Sequence, residues 1–121
     1  MDELKQEFDF KLDACTDYHN YHAFPNGYTK NENGLIQPWI TWTYCNPPYS
    51  EVSLWVEKAC SENSHRGTKI IMLLPVRTDT QWFHDYIYTN AACEIRFIKG
   101  RLKFKGTKNS APFPSMIVIF R

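Results

Sequence analysis

Residues 40–49 read Ile40-Thr41-Trp42-Thr43-Tyr44-Cys45-Asn46-Pro47-Pro48-Tyr49. The first six are β-branched or aromatic apart from one cysteine, which predicts a buried strand over residues 40–45. Neither Pro47 nor Pro48 has an N–H for a sheet ladder, so the strand must end there. In open α/β sheets, ligands bind at the carboxyl ends of the strands. The polar residues that follow this strand are therefore candidates for a binding site.

The segment Asn46-Pro47-Pro48-Tyr49 suits the activation of an amine that is conjugated to an aromatic ring. Such an amine is a poor nucleophile because its lone pair is delocalised. Oxygens of Asn46 and Pro47 can accept hydrogen bonds from it, and two prolines keep them in place. Tyr49 offers a ring on which an unstacked base can lie, worth about 1–3 kcal/mol. The alternative is an ordinary strand-to-helix turn, since Asn, Pro and Ser are common turn residues.

Around this stretch the pattern predicts a single α/β domain over residues 1–121. Residues 8–13 alternate apolar and charged side chains, as in a strand that ends at Asp13. After Ser50, expected to cap a helix that starts at Glu51, apolar residues recur at helical spacing. Residues 69–75 form an apolar run typical of a central parallel strand. A helix over 82–87 and strands over 94–98 and 115–120 follow, whereas Asn26 and Gly27 are turn signals.

Composition limits the possible classes of protein. The chain has 121 residues, 43% of them hydrophobic, which is enough for one packed core. No apolar run approaches the roughly 18 residues of a membrane span, and the charged start is not a signal peptide, so we expect a cytoplasmic protein. Irregular spacing predicts reduced thiols for Cys15, Cys45, Cys60 and Cys93. Cys15 also stands at a metal-like spacing from His19 and His22, but no second ligand pair follows, and no metal is predicted.

Charge is distributed unevenly along the chain. The net charge is +1, yet residues 95–121 contain no acid at all. Residues 101–105 alternate basic and apolar side chains, which predicts a strand with one cationic face for nucleic-acid phosphates; the alternative is an edge that lysines protect against aggregation. The loop after the central strand is expected to bring Arg77 and Asp79 to the same pocket as Asn46. The predicted nucleic-acid-binding residues are Arg77, Lys99, Arg101, Lys103, Lys105 and Lys108.

These segments, in this order, resemble the phage-type DNA N6-adenine methyltransferases. The resemblance covers nearly the whole chain and rests on Phe8-Asp9-Phe10-Lys11-Leu12-Asp13-Ala14-Cys15, Glu32-Asn33-Gly34-Leu35, Trp39, Cys45-Asn46-Pro47-Pro48-Tyr49-Ser50, Trp55 with Lys58-Ala59, Leu73-Leu74-Pro75, Thr78-Asp79-Thr80-Gln81-Trp82-Phe83-His84, Ile98-Lys99-Gly100-Arg101-Leu102-Lys103-Phe104 and Pro112-Phe113-Pro114-Ser115.

The resemblance implies a small Rossmann-like methyltransferase sheet, mostly parallel with an antiparallel carboxyl-terminal hairpin. It implies S-adenosylmethionine as methyl donor, adenine in DNA as acceptor, and a phage or prophage protein in the host cell. The predicted catalytic residues are Asn46, Pro47, Pro48 and Tyr49. The predicted donor-binding residues are Asp13, Ala14, Cys15, Asn33 and Asn46.

Two features differ from the family pattern. Relatives usually carry a longer amino-terminal segment with a Thr-Pro element, so we expect weak donor binding here. They also tend to have an acid immediately before the Gly-Leu pair, where this chain has Asn33 preceded by Glu32. Three alternatives stay open: a methyltransferase acting on RNA or on a protein glutamine, a shortened relative that binds nucleic acid without catalysis, and a structural α/β domain. The sequence leaves the recognition site and the oligomeric state open.

Overall fold

The computed structural model describes residues 2–16, 24–100 and 113–121. Within these residues a 6-stranded sheet contains β1 (Leu12–Asp13), β2 (Asn26–Gly27), β3 (Thr43–Cys45), β4 (Ile70–Pro75), β5 (Cys93–Phe97) and β6 (Ser115–Phe120). The order across the sheet is β2-β1-β3-β4-β6-β5. The first four of these run parallel, and β6 is antiparallel to both β4 and β5. The mostly parallel sheet with an antiparallel carboxyl-terminal hairpin is therefore confirmed.

In the described part of the chain, the sheet is accompanied by two α-helices, α1 (Asp2–Glu7) and α2 (Val52–Arg66), and by a π-helical segment, Phe83–Tyr88. The apolar face that the period of α2 predicts is buried, and its core is Val52, Trp55, Val56 and Ala59. The helix ends at Gly67, which takes a left-handed φ of 68° and donates its N–H to the Asn63 carbonyl at 3.0 Å.

Strand β4 separates two apolar clusters, because successive side chains of a strand point to opposite faces. Ile70, Met72 and Leu74 pack into the cluster that α2 covers. Ile71 and the partly buried Leu73 pack on the other face, among aromatic side chains near α1. The prediction of a central strand covered on both faces is confirmed.

Strands β1 and β3 are shorter than the predicted 8–13 and 40–45. Phe8 and Phe10 are buried as their alternation predicts, but the strand itself is confined to Leu12–Asp13. Ile40 is 45% exposed and lies outside β3. The reason lies at Trp39, whose N–H donates to Glu62 at 2.9 Å and whose carbonyl accepts from the Thr68 hydroxyl at 3.2 Å. These bonds tie the approach to β3 to the end of α2, so sheet pairing starts later.

The start of α2 also differs from the prediction. A 3₁₀ turn, Tyr49–Glu51, follows the prolines, and α2 begins only at Val52. The cap position is Glu51, and no side chain caps the helix, so the predicted Ser50 cap is wrong. The turn is closed by the Glu51 N–H donating to the Pro48 carbonyl at 3.0 Å. Because this 3₁₀ turn precedes α2, Ser50 lies inside the turn and not at the cap position of the helix.

The turn predicted at Asn26 and Gly27 is a short strand instead. Asn26 donates from its side chain to the Lys11 carbonyl at 3.1 Å, which anchors β2 beside β1. The ladder continues past it, because Tyr28 donates its N–H to the Asp13 carbonyl at 2.9 Å and accepts from the N–H of Thr16 at 3.0 Å. Interactions with a distant part of the chain thus override the local turn preference.

No helix in the described part of the chain is long and apolar enough to cross a membrane. All four cysteines are reduced, as predicted. Burial raises the pKa of the Cys45 thiol well above its usual value.

Candidate active site

The carboxyl ends of β1 and β3 bring the first two candidate side chains together. The two strands pair in parallel, with Asp13 opposite Tyr44, so Asp13 and Asn46 emerge at the same edge of the sheet. Both line a cavity of about 1080 Å³. Such an edge is the expected ligand position in a parallel α/β sheet.

Asp13 is fixed on the cavity wall by the turn that follows β1. It is 5% exposed, and its Oδ1 accepts from the Cys15 N–H at 3.2 Å. Ala14 continues the ladder by donating its N–H to the Tyr44 carbonyl at 2.8 Å. Asp13 and Cys15 line the cavity, whereas Ala14 is fully buried and does not. Of these three predicted donor-binding residues, Ala14 can therefore act only by positioning its neighbours.

The turn around Asn33 and Gly34 forms a second wall. Asn33 takes a positive φ of 59°, and its Oδ1 accepts from the N–H of Leu35 at 3.2 Å. A Cβ on Gly34 would lie 2.0 Å from the Ala14 carbonyl oxygen, so only glycine allows this approach. Asn33, a predicted donor-binding residue, lines the cavity, but its side-chain oxygen is already engaged in its own turn. Glu32, which precedes it, is not among the lining residues.

Glu32 has a structural partner of its own. Its Oε1 accepts from the backbone N–H and from the hydroxyl of Thr29, both at 2.8 Å. The backbone hydrogen bond from Thr29, followed by the hydroxyl, lowers the pKa of Glu32. The acid that stands next to the expected family position is thus used to fix the loop.

All four residues of the predicted catalytic segment line the cavity: Asn46, Pro47, Pro48 and Tyr49. Among the described residues, none hydrogen-bonds the carboxamide of Asn46, which is partly exposed. The segment is held by buried Cys45 and Pro47 on one side and by the 3₁₀ turn on the other. Partial burial raises the pKa of Tyr49. The geometry presents an amide group and a neutral phenol ring to the cavity.

The Tyr49 ring contacts Phe113, which the resemblance quotes without a role. Phe113 lies 5.8 Å from Tyr49 between ring centroids, at 68°. The guanidinium carbon of Arg77 lies 4.9 Å from the Phe113 centroid, and its Nε lies 3.8 Å from Asp79. Neither Arg77 nor Asp79 lines the cavity, so the expectation that both face it is wrong. Arg77 reaches the site only through Phe113, because its guanidinium stacks on that ring.

Other lining residues were not predicted either. Lys5 of α1 reaches the cavity, with its Nζ 5.1 Å from the Phe24 ring centroid. Lys30 and Glu51 add further charge to the lining. Lys5 lies in a helix beside buried Phe8. Its position did not indicate a binding site, because a lysine near the chain start is usually solvated.

Trp55 also lines the cavity, and the resemblance quoted it without a role. Its ring stacks on Trp39, at 6.2 Å between centroids and 26° between planes. The α-helical period predicts its burial but not its contact with the cavity.

Of the remaining predicted nucleic-acid-binding residues, Lys99 is exposed. Arg101, Lys103, Lys105 and Lys108 lie outside the described residues. So do His19 and His22, the expected partners of Cys15 in the zinc alternative. Within the described ranges, no group of three or more His, Cys, Asp or Glu side chains could hold a metal ion.

A parallel sheet with Asp13 and Asn46 at one edge agrees with the resemblance seen in the sequence. The chain belongs to the family described as DNA N-6-adenine-methyltransferase (Dam), whose model matches residues 1–121. It is similar to a DNA N-6-adenine-methyltransferase of Haemophilus phage HP1 (strain HP1c1), with 31% identity over 118 residues. The match covers 92% of this chain and 66% of that relative, so the chain spans just under two thirds of the relative's length. No solved structure matches the chain significantly.

Proposed function

We propose that this protein transfers a methyl group from S-adenosylmethionine to the N6 amine of adenine in DNA. The observation that carries the proposal is the position of the Asn46 carboxamide. The carboxamide lines the same cavity as Asp13, at the paired carboxyl ends of β1 and β3. No described residue forms a hydrogen bond with it. Membership of the DNA N-6-adenine-methyltransferase family supports the choice of reaction and acceptor.

The finer fold proposed is the Rossmann-like methyltransferase sheet. Its support is the strand order β2-β1-β3-β4-β6-β5, in which β6, alone among the strands of the described residues, runs against the others. The cavity lies at the carboxyl ends of the parallel strands, where such sheets bind nucleotides.

The donor is proposed to lie against the turns after β1 and around Asn33. Asp13, Cys15 and Asn33 line this part of the cavity, and Ala14 holds the first turn through its backbone. The lining carries both signs of charge, with Asp13 and Glu51 as acids and Lys5 as a base. That pattern fits the amino-acid end of S-adenosylmethionine, which carries an ammonium and a carboxylate. When bound, this donor supplies a methyl group activated by its sulfonium.

The segment after β3 would bind the adenine and activate its amine. The Asn46 side-chain oxygen and the Pro47 carbonyl accept hydrogen bonds from the two N–H groups of the adenine amine. Held in this way, the nitrogen would become tetrahedral and direct its lone pair at the methyl group. The N–C bond would form as the S–C bond of the donor breaks, S-adenosylhomocysteine would leave, and the extra proton on the amine would pass to water. Positive charge develops on the nitrogen during transfer, and two preorganised oxygens stabilise it. Tyr49 supports the extruded base by stacking, which requires the ring and not the hydroxyl.

The duplex is proposed to contact the cationic residues beyond the cavity. Arg77 and Lys99 would contribute to this surface, with Arg101, Lys103, Lys105 and Lys108 further along the chain. The absence of acids from residues 95–121 supports phosphate binding. These interactions would set the register of the duplex without touching the reacting amine.

Calorimetric titration with S-adenosylmethionine, followed by a methyl-transfer assay, tests the proposal. Unmethylated genomic DNA is the acceptor, because it samples every short sequence, and total RNA and a glutamine-containing peptide serve as comparisons. Digestion and mass spectrometry should find N6-methyladenine in DNA with the wild type and not with Asn46→Ala. Transfer to RNA or peptide alone would overturn the acceptor, and failure to bind the donor would overturn the activity.

A further inference from the structure

The side chain of Tyr44 is almost wholly enclosed by protein, yet its hydroxyl forms no hydrogen bond with a described residue. Tyr44 is 7% exposed and lines the cavity. Its ring packs against Phe10, at 5.6 Å between centroids, and against Phe24, at 5.7 Å. Since these contacts hold the ring in place, a partner for the hydroxyl has to come from the cavity.

The Tyr44 hydroxyl is open to the cavity, in contrast to the indole nitrogen of Trp55. Among the buried side-chain nitrogen and oxygen atoms of the described residues, only Trp55 Nε1 lacks a hydrogen-bond partner. The unpaired Tyr44 oxygen is not one of these enclosed atoms, so it keeps accessible surface on a residue that lines the cavity. A buried tyrosine usually finds a partner for its hydroxyl. This one therefore indicates a polar group of a ligand.

Opposite charges accompany Tyr44 on the side of the cavity that faces α1. Asp13 pairs with Tyr44 in register across two parallel strands, so both side chains point to the same face of the sheet. Burial, followed by the charge of Asp13, raises the pKa of Tyr44, so the hydroxyl stays protonated. Lys5 reaches the same aromatic cluster, with its Nζ 5.1 Å from the Phe24 centroid. An acid, a base and a phenol thus line one part of the cavity.

We propose that this part of the cavity binds the amino-acid end of the methyl donor, and that the Tyr44 hydroxyl donates a hydrogen bond to its carboxylate. Lys5 balances the charge of that carboxylate, and Asp13 accepts a hydrogen bond from the ammonium group. The inference rests on the proposed function, to which it adds the direction in which the donor lies.

The position of Tyr44 along β3 supports this direction. Tyr44 precedes Asn46 by two residues, which is roughly 6–7 Å along an extended chain. Methyl transfer requires the sulfur of the donor to lie close to the amine that Asn46 holds. Because only a short chain of carbon atoms joins the sulfur to the carboxylate, the carboxylate reaches back from Asn46 towards Tyr44.

The adenosine then extends in the other direction, towards Asn33 and Gly34. Gly34 packs on Trp55, which belongs to the apolar cluster that α2 covers. Tyr44 belongs to the cluster on the opposite face of the sheet, near α1. The cavity therefore passes across the edge of the sheet from one face to the other, and the two ends of the donor occupy different faces.

The experiment compares Tyr44→Phe with the matched control Tyr28→Phe. Tyr28 also lines the cavity, but its hydroxyl already donates to the Pro38 carbonyl at 2.7 Å. Each variant loses one hydroxyl and keeps the ring. In urea denaturation Tyr44→Phe should be at least as stable as the wild type, because it loses no internal hydrogen bond. Tyr28→Phe should unfold at a lower urea concentration.

Donor affinity should follow the opposite order. Calorimetry uses S-adenosylhomocysteine, which transfers nothing, and its decarboxylated counterpart, which lacks only the carboxylate. Tyr44→Phe should bind S-adenosylhomocysteine about 10- to 100-fold more weakly, the range for a hydrogen bond to a charged group, and the decarboxylated compound within about 2-fold of the wild type. Tyr28→Phe should bind both compounds within about 2-fold of the wild type.

Two further measurements examine the same carboxylate. Lys5→Gln should weaken S-adenosylhomocysteine binding by up to about 5-fold, and by less at high salt, because an exposed ion pair is screened. In steady-state assays Tyr44→Phe should raise KM for S-adenosylmethionine and leave kcat at saturating donor almost unchanged.

Each other outcome overturns a separate statement. Equal affinity of the wild type and Tyr44→Phe for S-adenosylhomocysteine overturns this inference and leaves the proposed function in place. An equal loss for both compounds would show that Tyr44 acts on another part of the donor, which overturns the assignment to the carboxylate. So would a wild type that binds both compounds equally tightly, since the carboxylate is then not recognised. A wild type that binds no S-adenosylhomocysteine overturns the proposed function together with the inference.

Discussion

Replacing Gly34 by alanine should damage both the fold and the proposed donor site. The added Cβ would lie 2.0 Å from the Ala14 carbonyl oxygen and 3.0 Å from Trp55 Cζ3. The Ala14 backbone has little room to move, because its N–H is bonded to the Tyr44 carbonyl at 2.8 Å in the sheet ladder. The turn that carries Gly34 must therefore move away, by on the order of 1 Å to restore an ordinary van der Waals separation.

That movement has a calculable cost. It strains a packed region, which typically costs about 1–3 kcal/mol. It also lengthens the 2.8 Å bond from Trp39 Nε1 to the Gly34 carbonyl, and a buried polar group left unpaired costs about 1–3 kcal/mol more. We expect Gly34→Ala to lower the free energy of unfolding by roughly 2–6 kcal/mol, the sum of the two contributions. Because Asn33 moves with the turn, affinity for S-adenosylhomocysteine should fall under conditions where the variant is still folded.

Urea denaturation and calorimetry measure the two effects, and Gly67→Ala is the control. Gly67 has a φ of 68° with nothing within 4 Å of its would-be Cβ, so alanine there meets only backbone strain of about 1–2 kcal/mol. That variant should keep its donor affinity, since Gly67 is at the end of α2. A Gly34→Ala protein as stable as the wild type, with unchanged donor affinity, would refute the argument from close approach.

The remaining predictions concern catalysis, DNA binding and pH. Asn46→Ala should slow single-turnover methyl transfer on the order of 10²-fold or more with the fold intact, and full activity would contradict the proposed mechanism. Reversing the charge of Lys103 and Lys105 should flatten the salt dependence of duplex binding by a slope of roughly 0.9 for each phosphate that the variant no longer binds, measured by fluorescence anisotropy; an unchanged slope would indicate a protected edge. The bidentate hydrogen bonds from Arg96, at 2.7 and 2.8 Å, lower the pKa of Glu7 below its ordinary 4.5. Because a lowered pKa stabilises the fold only above the unfolded value, the stability difference between wild type and Glu7→Gln should be full above about pH 4.5 and vanish as pH falls through the folded pKa. A difference that is constant from pH 7 to pH 2 in chemical denaturation would show that the pair is not coupled to folding.

Local sequence patterns were sufficient to predict the long apolar elements of this fold. The strand Ser115–Phe120 is observed with its predicted bounds, and Ile70–Pro75 differs from the predicted 69–75 by one residue. The apolar period of α2 correctly gave its buried face. In each case the side chains that define the element also pack it against the core, so the sequence pattern and the packing agree. The position of Asn46 and Asp13 at one sheet edge follows from this topology alone.

Other features depend on interactions between distant residues, which a local pattern does not contain. Asn26 and Gly27 have turn preferences, and only the hydrogen bonds to Lys11 and Asp13 make them a strand. The segment before β3 stays out of the sheet because the Trp39 N–H donates to Glu62, which is 23 residues further along the chain. The unpaired indole of Trp55 is likewise invisible in sequence, because the period of α2 shows that Trp55 is buried but not what its N–H meets.

The stacking of Arg77 on Phe113 is a consequence of strand register. Strands β4 and β6 pair residue by residue up to Pro75 opposite Ser115, and the next bond runs from the N–H of Val76 to the Pro114 carbonyl at 2.8 Å. The two loops therefore leave the sheet side by side, and the guanidinium of Arg77 meets the Phe113 ring one step beyond the ladder. A slip of one residue between β4 and β6 would exchange the faces of every side chain and separate the pair. The apolar faces of β4 and β6 fix that register, because both strands are buried. The contacts of Phe113 with Tyr49 and Arg77 thus depend on the core of the sheet, although Arg77 and Phe113 themselves belong to loops.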